Sequence, residues 1–180
     1  PETITSSTIT KTPFNSLGIT DHVVNFSFTP TSSSNKLVVG TTFEVGNTFS
    51  AEVLDCYFAK EVYPPNPSRY YRYYKEVEDQ SYLVVILNYK NLKGNDVNCK
   101  TNFSTTVKFN NKYSYDGSVV ITTDEDGNFG FYNTSFIKPL NTEKVYIIFQ
   151  VPDEVLEMPG EITIKIDPNN TNTRYTMDTP

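Results

Sequence analysis

Residues 144–151 read KVYIIFQV and residues 159–166 read PGEITIKI, and both alternate apolar with polar or semi-polar side chains on a period of two. Val145, Ile147, Phe149 and Val151 share one face of the first; Ile162, Ile164 and Ile166 share one face of the second, opposite Glu161, Thr163 and Lys165. Such alternation predicts half-buried antiparallel sheet. The residues between the two, PDEVLEM, are too few for the crossover helix that a parallel pair requires, which points to a sandwich or a barrel.

Upstream the same period recurs. Val24, Phe26 and Phe28 keep parity in HVVNFSF, as do Val39, Phe43 and Val45 in LVVGTTFEV. Between Phe49 and Phe58 the apolar parity switches, from Phe49, Ala51 and Val53 to Leu54, Cys56 and Phe58, as a β-bulge or a strand buried on both faces would require. SYLVVILNY at 81–89 is the most continuous apolar run and reads as a central strand, followed by a turn around Gly94. VNCKTNFSTTVKF at 97–109 reads as one further strand carrying Cys99. Turns at Asn110-Asn111, Asp116-Gly117 and Asp126-Gly127 separate short strands near 112–115, 118–122 and 128–132. Turn signals every ~8–12 residues between short strands are the pattern of a β-sandwich. The three prolines of EVYPPNPSRYYRYYKEVEDQ, Pro64, Pro65 and Pro67, forbid a central strand, so this segment is read as a long exposed loop.

Composition agrees. The 180 residues include 13 Tyr and 12 Phe with only 8 Gly and no Trp, a β-rich balance in a chain long enough for one domain with a full core. The formal charge of -6 disfavours nucleic acid and anionic membrane surfaces as partners, because phosphate affinity rests on Lys and Arg releasing counterions. No run approaches the ~18–20 apolar residues of a membrane-spanning helix. The expected organisation is a Thr/Ser-rich tail or tether over residues 1–22, a sandwich over 23–168 and a polar C-terminal tail over 169–180.

The ordered series LVVILNYKNLKG, KYSYDGS, IKPLNTEKVYIIFQVPDEV and GEITIKI resembles the telokin-like immunoglobulin-fold domains of unknown function found in lipoproteins and secreted proteins of Gram-positive bacteria. The likeness runs over about Gly40 to Ile166, and its most specific parts are Lys90-Asn91 after a strand and the block Val151 to Val155. It implies an all-β, immunoglobulin-like antiparallel β-sandwich in an extracellular or cell-surface setting, without catalytic residues, cofactor or metal. A non-enzymatic binding or adhesion module is the function expected, its partner a protein or glycan at the cell surface. The competing class is a hydrolase with a carboxylate site on sandwich loops. Unlike antibody-type domains, the chain has no Trp, and no Cys on KVYIIFQV to bridge the layers.

Cys56 and Cys99 are the only cysteines. In an exported protein an even count favours a bridge, which is the expectation here; two buried free thiols are the alternative. Asp124, Asp126 and Asn128 have the oxygen spacing with which calcium loops begin, but Phe129 and Ser135 stand where the turn glycine and the bidentate Glu belong, so a polar hairpin turn is favoured over a weak calcium site. His22, the sole histidine, has no nucleophile signature around it and reads as a surface residue. Sequons at Asn25, Asn102, Asn133 and Asn169 would matter only in a eukaryotic secretory pathway. The most unusual composition is Arg69, Tyr70, Tyr71, Arg72, Tyr73 and Tyr74, residue types that supply binding energy at modest entropic cost. It is the expected interaction loop, with Tyr70 and Tyr73 the candidates for packing underneath should its role be structural.

Overall fold

The two strands that announce the fold pair with different neighbours. The computed structural model describes residues 35–67, 70–122, 127–130, 136–166 and 174–180. KVYIIFQV lies in β8 (Thr142–Pro152), between β3 (Gln80–Asn91) and β6 (Tyr113–Ile121), whereas PGEITIKI forms β9 (Gly160–Ile166), between β5 (Phe103–Phe109) and β10 (Arg174–Asp178). With β1 (Thr42–Val45) and β2 (Phe49–Ala59) the order is β1-β2-β3-β8-β6-β5-β9-β10, antiparallel at every pairing. β4 (Val97–Asn98) and β7 (Phe136–Ile137) form a small separate ladder. Helix among the described residues is confined to one turn, α1 (Cys99–Asn102), and a 3-10 turn at Asp153–Val155. The fold is the all-β antiparallel sandwich expected from the alternation.

The layers are joined by β6. Its first half pairs with β5, from Thr106↔Asp116 to Phe109↔Tyr113, and its second half with β8, from Gly117↔Phe149 to Ile121↔Val145. Asp116-Gly117 is therefore the point where one strand passes between layers, not the hairpin turn expected there, and 112–122 is not two short strands. Crowding explains the glycine: a Cβ on Gly117 would lie 2.4 Å from Thr105 Oγ1 and 2.7 Å from the Phe149 ring. Absence of a side chain lets the backbone approach that closely.

At the opposite side, residues 35–37 run along β10. Leu37 N–H donates to Thr176 O at 2.7 Å and Thr176 N–H to Asn35 O at 3.0 Å. The chain turns at Gly40 (φ 85) and enters β1 in the other layer, so LVVGTTFEV is a strand only from Thr42 onward, with Val38 and Val39 exposed on the turn. The expected polar tail is also corrected. Tyr175 and Met177 alternate into the core, making Arg174–Asp178 an edge strand paired with β9, a period of two hidden among Thr and Asn residues.

Between the layers lies one core, including Phe49, Val53, Leu83, Leu87, Val107, Phe109, Phe149 and Ile162, each 0% exposed. The parity switch in β2 is a bulge: the register to β3 shifts between Val53 and Asp55, which returns Cys56 and Phe58 to the face of Phe49, Ala51 and Val53. A second cluster covers the outer face, where Tyr82, Val84, Val120, Tyr146 and Ile148 are buried with Val62 and Phe129. Burial on both faces accounts for the unbroken run in β3, and it corrects the expectation that β8 is half-buried: Tyr146 and Ile148 are 4% and 2% exposed.

The strand expected over 97–109 is interrupted. Asn98 Oδ1 accepts a hydrogen bond from Lys100 N–H at 2.9 Å, capping the single turn of α1 before β5 begins. Asn91, 0% exposed, is satisfied on all sides. Its Nδ2 donates to Asn95 O and Ile137 O, both at 2.9 Å, and its Oδ1 accepts from Lys93 N–H at 2.9 Å. Buried polar groups need such partners, and here they tie the loop after β3 and the strand β7 to the end of β3.

Candidate functional site

The segment between β2 and β3 is an ordered bracket on the outer face of the sandwich. Val62 and Tyr74 exchange backbone hydrogen bonds, each 3.0 Å, as an antiparallel bridge. Their side chains face inward: Val62 is 2% exposed, and the Tyr74 ring packs edge-on against Tyr82 and Phe129 at 5.6 and 5.9 Å. Side chains alternate along extended chain, so the adjoining residues Tyr63 and Tyr73 point the other way. Their rings stack at 4.7 Å with an interplanar angle of 8°, and Tyr71 joins them at 6.4 and 6.0 Å.

Polar contacts fix this cluster. The Tyr63 hydroxyl donates to Glu61 Oε2 at 2.7 Å, and that hydrogen bond, more than desolvation or the carboxylate's charge, pushes the phenol up to about 12. Lys75 Nζ lies 5.9 Å from the Tyr73 ring centroid. Tyr63 and Tyr71 remain 46% and 41% exposed, and Tyr70 beside them is 99% exposed. The foot of the bracket is clamped by Asp153. Its carboxylate pairs with Lys60 and accepts from Ser81 Oγ at 2.6 Å, its N–H donates to Asp79 O at 3.0 Å, and Lys60 also reaches Gln80 O at 3.1 Å. Hydrogen bonds from Lys60 and Ser81 hold the Asp153 carboxyl below its ordinary range.

The expected interaction loop is thus divided. Tyr71 and Tyr73 reach the exposed cluster, Tyr70 projects beside it, Arg72 is exposed, Tyr74 belongs to the outer core, and Arg69 lies outside the described residues. The residue packed under the loop is Tyr74, not Tyr70 or Tyr73. Tyr63 was missed: the prolines after it mark an irregular loop, and the signal that could have found it is the apolar-then-Tyr pair Val62-Tyr63 facing Tyr73-Tyr74.

The expected bridge does not form. Cys56 and Cys99 are free thiols, and burial first, then nearby Asp55 and Glu143 respectively, pushes each up to about 12. Cys56 pairs with Val85 on β3, whereas Cys99 is buried at the start of α1. Asp124, Asp126, His22, Asn25, Asn133 and Asn169 lie outside the described residues; Asn128 precedes buried Phe129, and Asn102 ends α1. Among the described residues no three His, Cys, Asp or Glu side chains are grouped as a metal site.

No protein-family model and no curated protein matches the chain. Among solved structures it is similar to an uncharacterized β-sandwich protein from Clostridium difficile 630, with a TM-score of 0.71 at 22% identity over 82% of this chain and 95% of that one. That likeness establishes the β-sandwich fold. A conserved hypothetical protein from Bacillus anthracis aligns with a TM-score of 0.48 at 13% identity, over 77% of this chain and 92% of that one.

Proposed function

We propose that the chain is a non-enzymatic binding or adhesion module of a Gram-positive surface lipoprotein, of the telokin-like immunoglobulin type, which meets a cell-surface partner through Tyr63, Tyr71 and Tyr73. The observation that carries this reading is the division of the bracket: Val62 and Tyr74 are committed to the outer core, while the stacked Tyr63–Tyr73 pair faces solvent. Aromatic residues already held in place lose little freedom on contact, so a larger part of their burial becomes affinity. The acidic balance of the chain favours a protein or glycan over nucleic acid. The extracellular setting rests on the resemblance of residues 40–166 to lipoprotein domains.

The test is a triple replacement, Tyr63→Ala, Tyr71→Ala and Tyr73→Ala, compared with the parent protein on arrays of purified host surface proteins and glycans. Loss of the parent's binding with the melting temperature within a few degrees is expected. Parent-level binding by the variant, an absence of binding by the parent, or saturable turnover of chromogenic glycosides or esters would each overturn the reading.

A further inference from the structure

The layer switch in β6 opens a cleft of about 400 Å3 on the outer face of the sandwich, beside the bracket. Pairing between β6 and β8 ends at Gly117↔Phe149, because from Asp116 backwards β6 belongs to the other layer. Gln150 of β8 therefore has no β6 residue opposite it. Ile148 and Gln150 line this gap together with Tyr74, Tyr82, Asp116 and Ser118. Its size is within the roughly 300–1,000 Å3 usual for small-ligand sites.

We propose that this cleft binds a neutral sugar ring, a site resting on different polar residues from those of the tyrosine patch. The Tyr74 and Tyr82 rings, 5.6 Å apart and inclined at 68°, provide an aromatic corner against which the C–H face of a pyranose can lie. The Tyr82 hydroxyl is spent on Lys75 O at 2.8 Å, so that ring serves as wall, not as polar contact. Hydroxyl recognition comes from the other side. Asp116 Oδ1 accepts from Thr106 Oγ1 at 3.4 Å, which leaves Oδ2 to accept from a sugar; the Ser118 hydroxyl donates or accepts, and Gln150 Oε1 accepts while its Nε2 is directed to Gln80 Oε1 at 2.6 Å. This mainly accepting set matches a ring of hydroxyl donors. A single carboxylate and no cationic side chain among the lining residues turn away acidic sugars and phosphates.

The intact chain is titrated by protein-observed NMR with maltotriose, cellotriose and tri-N-acetylchitotriose, with choline as the probe of an aromatic cation cage, and is screened on an array of neutral oligosaccharides. Saturable shifts of residues around Gln150 and Ser118 with at least one neutral saccharide are expected. Asp116→Ala and Gln150→Ala should each weaken that binding at least tenfold, and Ser118→Phe, which fills the cleft from an exposed position, should abolish it. The Tyr71→Ala/Tyr73→Ala protein should bind the saccharide as the parent does, which separates this site from the surface-partner reading. Binding of choline in place of sugars, full affinity in the Ser118→Phe protein, or an array without a saturable neutral ligand overturns the proposal.

Discussion

Phe43 and Tyr175 meet ring to ring, their centroids 4.4 Å apart at an interplanar angle of 43°. They come from strands at opposite ends of the sheet order, β1 and β10, so this contact joins the outermost described strands of the two layers. Phe43 also packs edge-on against Phe49 at 5.9 Å, linking the seam to the main core. Residues 35–37 complete the closure by lending backbone bonds to β10 before the chain crosses to β1. With β6 shared at the other side, both margins of the sandwich are bridged by continuous chain, one of the ways a β-protein protects edges that would otherwise pair with other molecules.

Truncating this seam should be costly. Phe43→Ala is expected to lower stability by about 3 kcal/mol, at the lower end for a buried aromatic because Phe43 keeps a margin of exposure. A double-mutant cycle with Tyr175→Ala, read by urea unfolding, should return a coupling of about 0.5–1.5 kcal/mol. Additive losses would mean that the rings fill space independently and that the contact does not join the edges.

Gly117→Ala should strain the layer switch by about 1–3 kcal/mol, since the added methyl meets Thr105 Oγ1 and the Phe149 ring at distances that force a shift. Pairing it with Thr105→Ala removes the nearer obstacle and should recover part of the loss in a thermal melt. An unaffected single variant would show that the strand can bend at this point without glycine.

These two sites mark what the sequence made legible and what it did not. Period-two alternation places side chains on a face, and it found β3, β5, β8 and β9 together with the parity switch in β2, which the register to β3 resolves as a bulge. It carries no information on which strand lies alongside which, so the passage of β6 between layers read as a turn: Asp-Gly serves a hairpin tip and a crowded crossover equally well. Burial on the outer face depends on the bracket folding back, a long-range event that the local pattern of KVYIIFQV does not encode. The tyrosine run was visible as composition. Which rings face water followed only from the Val62–Tyr74 bridge. Cysteine count suggested a bond that the fold does not make, because pairing partners are set by distance in space and not by number.

The thiols and buried phenols make the fold sensitive to alkali. An ordinary thiol titrates at 9.0, whereas Cys56 and Cys99 keep their protons to about 12 in the folded chain, and burial likewise raises Tyr74, Tyr82, Tyr89, Tyr146 and Tyr175. Their neutral forms are favoured in the fold, so this contribution is complete below pH 9 and declines as the pH rises toward 12. The urea midpoint should fall steadily across that window, and less steeply in Cys56→Ala/Cys99→Ala. Denatured, unreduced protein should titrate two thiols with Ellman's reagent; none would restore the disulfide.

Tyr74 and Tyr73 are adjacent in sequence and should behave oppositely. Tyr74 fills the outer core between Tyr82 and Phe129, and its backbone holds the bracket to Val62, so Tyr74→Ala removes a ring from a packed site. A loss of about 3 kcal/mol is expected, with faster amide exchange at Val62, whose N–H donates to Tyr74 O. Tyr73 stacks on Tyr63 outside the core, where water replaces much of what a truncation removes, so Tyr73→Ala should cost less than about 1 kcal/mol. Measuring both by chemical denaturation and hydrogen exchange decides the matter: equal losses would mean that the exposed stack carries stability, and the separation between an inner anchoring row and an outer contact row would be lost.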